Sequence, residues 1–264
     1  MEFLTILLSA LLIFISPAGL VIDRAAENAI RSRLESVEEL KVRVDNTPSY
    51  QILQGKIERV RIAGRGLRVT PDIRIAALEV ETDPIDIDIQ SLRRGGKMPL
   101  LKTLRAPLQA ATRVVLSQED VNQALRSPEI INRLRNLGSR VLDVSEAEQL
   151  QRYEIFNPKV EFLDNNRARL QVEIQERGEP ERLVILVEAG IEVIDGRRLQ
   201  LTEPVVLVNG ETAPARVVKG LVVGISRRLD LQNFEKTGIL ARILELKISP
   251  AQLEMAAFVH IEPR

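Results

Sequence analysis

The sequence predicts an α+β fold made mostly of long antiparallel strands, and three observations carry that expectation. Aliphatic and polar residues alternate with a period of two along much of the chain, most plainly in Leu183, Ile185, Val187, Ala189, Ile191 and Val193. Gly, Pro, Asn and Asp break these runs at intervals short enough for hairpins. Helical periodicity is confined to three stretches, without the strand-helix-strand alternation that a parallel sheet needs.

The first element is apolar. Residues 3–22 carry no charged side chain, and about 20 apolar residues is the length that spans a hydrocarbon core. Ser16-Pro17-Ala18 has the small-residue pattern of a cleavage site, although Glu2 stands where a basic flank belongs. Residues 1–22 are therefore expected to be a signal or anchor segment, the other reading being an internal helix. Residues 23–264 are expected to form a single domain. Arg24, Arg31 and Arg33 are offset by Asp23, Glu27 and Glu35, so charge sets no orientation.

Ile22, Ala26, Ile30 and Leu34 recur every four residues and predict an amphipathic helix running to about Ser36. The period then changes to two at Leu40, Val42 and Val44, again at Val60 and Ile62, at Ile73 and Ile75, and at Ile85, Ile87 and Ile89. Pro48, Gly55, Gly64, Gly66, Pro71 and Pro84 separate these strands and suggest a meander, one face dry and the other wet. A second helix is expected from Ser117, where Ser-x-x-Asp forms a capping pattern, with Val121, Ala124 and Leu125 on its apolar stripe; Pro128 restarts it through Ile131, Leu134 and Leu137.

Strands return at Val160 and Phe162, turn at Asp164-Asn165-Asn166, and come back through Leu170, Val172 and Ile174. The long run through Val193 turns at Asp195-Gly196 and returns through Leu199 and Leu201. A third helix, about residues 213–229, carries Val217, Val218, Leu221, Val222, Ile225 and Leu229. Gly220 and Gly224 leave a stripe without side chains, suited to tight helix–strand packing or to a smooth lipid-lining face. Two closing strands are expected at residues 243–248 and 253–261.

Composition excludes several functions. Lys+Arg 37 balance Asp+Glu 37, so no long-range field favours nucleic acid. With Cys 0 and His 1, thiolate catalysis, iron–sulfur clusters, thiolate zinc sites and multi-histidine metal sites are ruled out. Aromatic residues make up 3%, too few for stacking platforms. Gly95-Gly96-Lys97 lacks the upstream glycine of a phosphate loop, and Gly64-Arg65-Gly66 has Val69 where a third dinucleotide-binding glycine would stand.

His260, the single imidazole, sits on the polar phase of the last strand with no nucleophile motif beside it. Glu79, Glu81, Asp83, Asp86 and Asp88 alternate with apolar residues, as on a solvated strand face; a carboxylate hydrolase would need them to converge in a pocket. No catalytic residue, metal or cofactor is expected.

The segment from Ile89 to Gln118 differs from the rest. Arg93, Arg94, Lys97, Lys102, Arg105 and Arg113 occur in it without an acid, interleaved with Met98, Leu100, Leu101, Leu104 and Leu108. It is either an ordinary basic connector or a loop that rests on anionic lipid at about 1 kcal/mol per basic residue.

Four stretches carry a family resemblance. They are Gly55-Lys56-Ile57-Glu58-Arg59-Val60-Arg61-Ile62-Ala63-Gly64-Arg65-Gly66-Leu67, Leu116-Ser117-Gln118-Glu119-Asp120-Val121-Asn122, Val193-Ile194-Asp195-Gly196-Arg197-Arg198-Leu199 and Pro204-Val205-Val206-Leu207-Val208-Asn209-Gly210. In these the chain resembles bacterial LmeA-like phospholipid-binding proteins, which are similar to the tubular lipid-binding superfamily. The resemblance implies a long curved antiparallel sheet wrapped around a few helices, an apolar groove for acyl chains, an exported or envelope setting, and no catalytic residue.

On that basis Val121, Leu125, Val187, Ile191, Leu221, Gly224, Ile225 and Met255 are the candidate groove residues. Arg93, Arg94, Lys97, Lys102 and Arg105 are the candidate contacts to headgroups or a membrane surface. Sheltering a diacyl lipid means burying about 30 methylenes, roughly 24 kcal/mol at about 0.8 kcal/mol each, so a shallow patch does not suffice. The expected function is non-enzymatic binding or transfer of phospholipid at an envelope membrane, with phospholipid and membrane as partners and no nucleic acid. The alternative is a structural envelope protein with a solid core that binds protein partners.

Overall fold

The first helix, α1 (Ile22–Arg31), is shorter than its apolar period suggests. Ser32 Oγ donates to Ala29 O, the amides of Arg33 and Leu34 bond only three residues back, and Glu35 N then donates to Arg68 O in the sheet. Leu34 therefore lies beyond the helix, and strand pairing starts at Ser36 rather than near Leu40. The computed structural model describes residues 22–46, 49–88, 103–128, 130–131, 153–228, 230–232, 235 and 238–263. The apolar segment up to residue 21, Ile89, and the helical restart at Leu134 and Leu137 lie outside them. Among the described residues no helix is long and apolar enough to cross a membrane.

The chain gathers into two compact units. One comprises Met1–Val115, Phe234–Leu244 and Met255–Arg264, the other Leu116–Asn233 and Glu245–Glu254. Strands dominate both, and their pairings are antiparallel.

The six-stranded sheet has the order β1-β3-β4-β6-β13-β12, from β1 (Ser36–Asp45), β3 (Arg59–Thr70), β4 (Ile73–Thr82), β6 (Leu108–Ser117), β12 (Ile239–Ser249) and β13 (Gln252–Ile261). Two-residue strands β2 (Lys56–Ile57) and β5 (Ile85–Asp86) pair beside it, and Ile87 bridges to Leu104. Part of its apolar phase is buried. Val42 stands opposite Ile62 and Ile62 opposite Val80, and all three are buried, as are Leu40, Val60 and Leu78 and, on α1, Ala26 and Ile30.

Strand β6 corrects the reading of residues 89–118 as one basic loop. Residues 108–117 form a ladder with β4, and Arg113 faces Glu79 at 3.2 Å. Val114, Val115 and Leu116 run together without alternation, which is why the period-two signal fails there.

The five-stranded sheet has the order β11-β10-β9-β8-β7, from β7 (Tyr153–Leu163), β8 (Arg167–Glu176), β9 (Arg182–Ile194), β10 (Arg198–Val208) and β11 (Glu211–Thr212). Its turns match their sequences: Asp195 and Gly196 both take positive φ in the β9–β10 hairpin, as do Asn165 and Asn166 between β7 and β8. Helix α2 (Gln118–Leu125) packs on β7, and α3 (Ala215–Arg228) packs on β10.

The sheet edges are closed by polar side chains, which limits pairing with other chains. At β1, Asp23 Oδ1 accepts from Val44 N at 2.9 Å and Arg31 Nη2 donates to Leu40 O at 3.5 Å. At β12, Asn166 Oδ1 accepts from Ile248 N at 2.7 Å and its Nδ2 donates to Leu246 O at 3.3 Å.

Candidate functional site

The five-stranded sheet segregates its side chains, because antiparallel partners share a face. One row runs Val160, Leu170, Val187, Val206 across four strands. Beside it Val172 faces Ile185 and Ile185 faces Val208; Ile155 faces Ile174 and Ile174 faces Leu183; Ile191 faces Leu201 and Val193 faces Leu199. The result is a continuous aliphatic wall.

Two irregularities keep the wall in phase. The register of β7 shifts between Phe156 and Lys159, and that of β10 between Thr202 and Val205. At each a residue with positive φ precedes a proline, Asn157 before Pro158 and Glu203 before Pro204. The apolar set thereby passes from odd to even positions, Ile155 to Val160 and Leu201 to Val206, and proline occupies the position where the ladder is interrupted.

This wall is not sealed like the core of the other sheet. Phe162, Ala189 and Val206 are buried, but Leu170, Val172, Ile174, Leu183, Ile185, Val187, Ile191 and Val193 are all only half-buried. Aliphatic side chains of intermediate burial are thus contiguous across four strands, β7 to β10. Val187 and Ile191, singled out from the sequence, lie in it; Leu170, Val172, Ile174, Ile185 and Val206 belong to it too.

The opposite face carries ion pairs, with Val184 and Val205 exposed among them. Arg169 donates to Glu188 Oε2 at 2.8 and 3.0 Å and to Glu161 at 2.8 Å, and Arg167 reaches Glu188 Oε1 at 3.2 Å. The Arg169 hydrogen bond, with help from Arg167, holds the Glu188 carboxyl below the usual range against the opposing effect of its desolvation. Arg182 pairs with Glu173 at 3.0 Å and lies over the Phe156 ring at 4.4 Å.

Helix α2 fixes the outer edge of the wall. Ser117 caps it, accepting from Asp120 N at 3.0 Å while its hydroxyl donates to Asp120 Oδ2 at 2.6 Å. Gln118 and Asn122 then face β7 one turn apart: Phe162 N donates to Gln118 Oε1 at 2.6 Å, and Asn122 bonds both the N–H and the C=O of Val160. Four helical residues advance about 6 Å and two strand residues about 6.6 Å, so the amides match the ladder they replace. Val121 and Leu125 are half-buried on the same helix.

Helix α3 borders the sheet at β10. Leu221, Gly224 and Ile225 are half-buried on it, and a groove of about 600 Å³ lined by Pro204, Ala213, Val218, Val222 and Val223 runs along it. That volume is within the range of about 300–1,000 Å³ common for small-ligand pockets. Gly220 departs from the expected tight packing, since a Cβ there would meet nothing within 4 Å.

The other candidates lie elsewhere. Met255 lies on β13, in the unit that contains Met1–Val115. Arg93, Arg94, Lys97 and Lys102 fall outside the described residues, and Arg105 pairs with Asp88 at 3.2 Å. Glu79 pairs with Arg113 and Glu81 with Arg59, and His260 Nε2 lies 2.8 Å from Glu262 Oε1. A hollow of about 730 Å³ over the six-stranded sheet is floored by apolar residues, among them Val42, Ile62, Val80 and the exposed Leu244, and bordered by charges that include Arg113 and Glu79, and by Arg43 and Arg61, both of which pair with Asp45. Among the described residues no group of three or more Asp, Glu or His could hold a metal ion.

The family model for LmeA-like phospholipid-binding proteins matches residues 14–258. The chain belongs to this family. Comparisons with curated proteins and with solved structures give no match. Within this LmeA-like chain the four sequence stretches acquire physical roles: Gly64 and Gly66 shape β3, Ser117 to Asn122 cap α2 and pin β7, Asp195-Gly196 closes a hairpin, and Asn209-Gly210 turns β10 into β11 with positive φ at both. Asn209 also accepts from Val184 N at 2.8 Å.

Proposed function

We propose that the protein holds phospholipid without chemically altering it, laying acyl chains against the aliphatic face of the five-stranded sheet and along the α3 groove, and carries the lipid between membranes of a bacterial envelope. The observation that carries the reading is the half-exposure of Leu170, Val172, Val187 and Ile191 in one contiguous face, set against the buried Val42, Ile62 and Val80 of the other sheet. At about 25 cal/mol per Å² of apolar surface, covering that face with methylenes is favourable in proportion to the area removed from water. Membership of a phospholipid-binding family supports the choice of ligand. A groove of about 600 Å³ favours this reading over a solid-cored structural protein. The transfer role and envelope setting extend that ligand assignment.

Native mass spectrometry of the gently released full chain, with lipid extraction of the same sample, tests it. A bound mass in the phospholipid range is expected. A protein that arrives empty and also refuses added phosphatidylglycerol and phosphatidylethanolamine contradicts it.

A further inference from the structure

The outer side of α3 is built unlike an ordinary solvated helix face. Val217 is 51% exposed and Val223 40%, with Gly220 between them open to solvent. Arg216 and Lys219 are exposed on the same side, while Val218, Leu221, Val222 and Ile225 are turned inward and half-buried. Residues 215–228 contain Arg216, Lys219, Arg227 and Arg228 and no acid, in a chain whose net charge is +0. A soluble helix normally reserves its exposed side for polar residues of both signs.

We infer that this face of α3 is where the protein docks on an anionic bilayer. Val217 and Val223 enter the interface, Gly220 lets the helix axis lie close to the headgroups, and Lys219 and Arg216 meet lipid phosphates. The occupant follows from charge: a helix whose sequence carries basic residues and no acid complements an anionic surface, and exposed valines beside Lys219 suit the boundary between headgroup and acyl chain. Docking places the α3 groove next to the membrane from which a lipid would come. The inference adds a membrane-contact surface to the lipid-holding reading on which it rests; Val217 and Gly220 stand clear of the groove, whereas Val223 and Lys219 also line it.

The absence of native cysteine allows a direct test on the full chain. Val217→Cys, and as a control Gln200→Cys on the charged face of β10, are each labelled with nitrobenzoxadiazole and mixed with vesicles of equimolar phosphatidylglycerol and phosphatidylcholine, or of phosphatidylcholine alone. The Val217 label is expected to brighten and shift to the blue on the anionic vesicles only, and the Gln200 label to stay in water. Adding Gly220→Glu, whose Cβ would have no atom within 4 Å, should weaken the response about tenfold or more while leaving bound lipid in the native mass spectrum. A Val217 label that stays in water on anionic vesicles, or responds equally to neutral ones or with Gly220→Glu present, overturns the proposal. An empty protein whose Val217 label still responds refutes lipid holding and supports docking; a loaded protein with a silent label refutes docking alone.

Discussion

Asn122 grips the peptide of Val160 from both sides, its Nδ2 donating to the carbonyl at 2.8 Å and its Oδ1 accepting from the amide at 2.7 Å. One helix side chain thus takes the place of a neighbouring strand at the edge of the aliphatic wall, next to the register shift in β7. Asn122→Ala leaves both backbone groups without that partner. It should cost about 1–3 kcal/mol. Denaturant unfolding measures the loss, and hydrogen exchange should quicken at Val160 before it does at Val187 in the middle of the sheet.

Leu67, fully buried, folds back over Gly64, so a Cβ on Gly64 would lie 2.9 Å from its Cδ2. Gly64→Ala must displace that side chain, at about 1–3 kcal/mol. Gly66 has φ +58 and faces the Glu38 side chain, so Gly66→Ala adds backbone strain to a clash. Gly220→Ala, in open space on α3, should instead stabilise by about 0.5–1 kcal/mol. The three unfolding midpoints, measured together, separate these cases.

The Glu188 carboxyl, lowered by Arg169 and Arg167, links stability to pH. A depressed carboxylate contributes stability that is complete above its unfolded value, about 4.3, and is lost as pH falls through the lower folded value. Glu188→Gln should therefore be less stable than the native chain at pH 7, and the difference should shrink below about pH 4. Thermal unfolding followed from pH 7 down to pH 3 checks the sign. Glu161 and Glu203, which also face these arginines, are left in place as a common background.

Val187→Asp places a charge in the middle of the aliphatic wall at a position only half-buried in the protein itself. The fold should survive, because solvent reaches the site. Phospholipid retention should drop about tenfold or more, since an acyl chain cannot cover a carboxylate without desolvating it. Circular dichroism and lipid extraction of the same preparation read the two effects apart.

Much of the fold is legible in the sequence wherever period and punctuation agree. Alternation from Leu183 to Val193 and the Asp195-Gly196 turn specify the β9–β10 hairpin, and Ser117 with Asp120 marks the start of α2. Strand β6 is hidden because Val114, Val115 and Leu116 do not alternate. Phase changes at Asn157-Pro158 and Glu203-Pro204 are signalled locally by proline but gain meaning only from the partner strand.

The candidate site is less legible, and for a physical reason. Val60 and Ile62 alternate just as Val187 and Ile191 do, yet the first pair is buried and the second half-open. Periodicity reports which side of a strand is apolar and says nothing about what covers it. Gln118 and Asn122 are likewise ordinary helix residues until the edge strand lies beside them.

The most direct test of the central claim uses phosphatidylglycerol carrying a photoactivatable group midway along one acyl chain. The full chain is loaded, irradiated and digested, and the adducts are located by mass spectrometry. Adducts concentrated on the peptides carrying Leu170, Val187, Ile191 and Val206 are the predicted result. Adducts on the peptides of Val42, Ile62 and Val80, or a protein that acquires none, would contradict it.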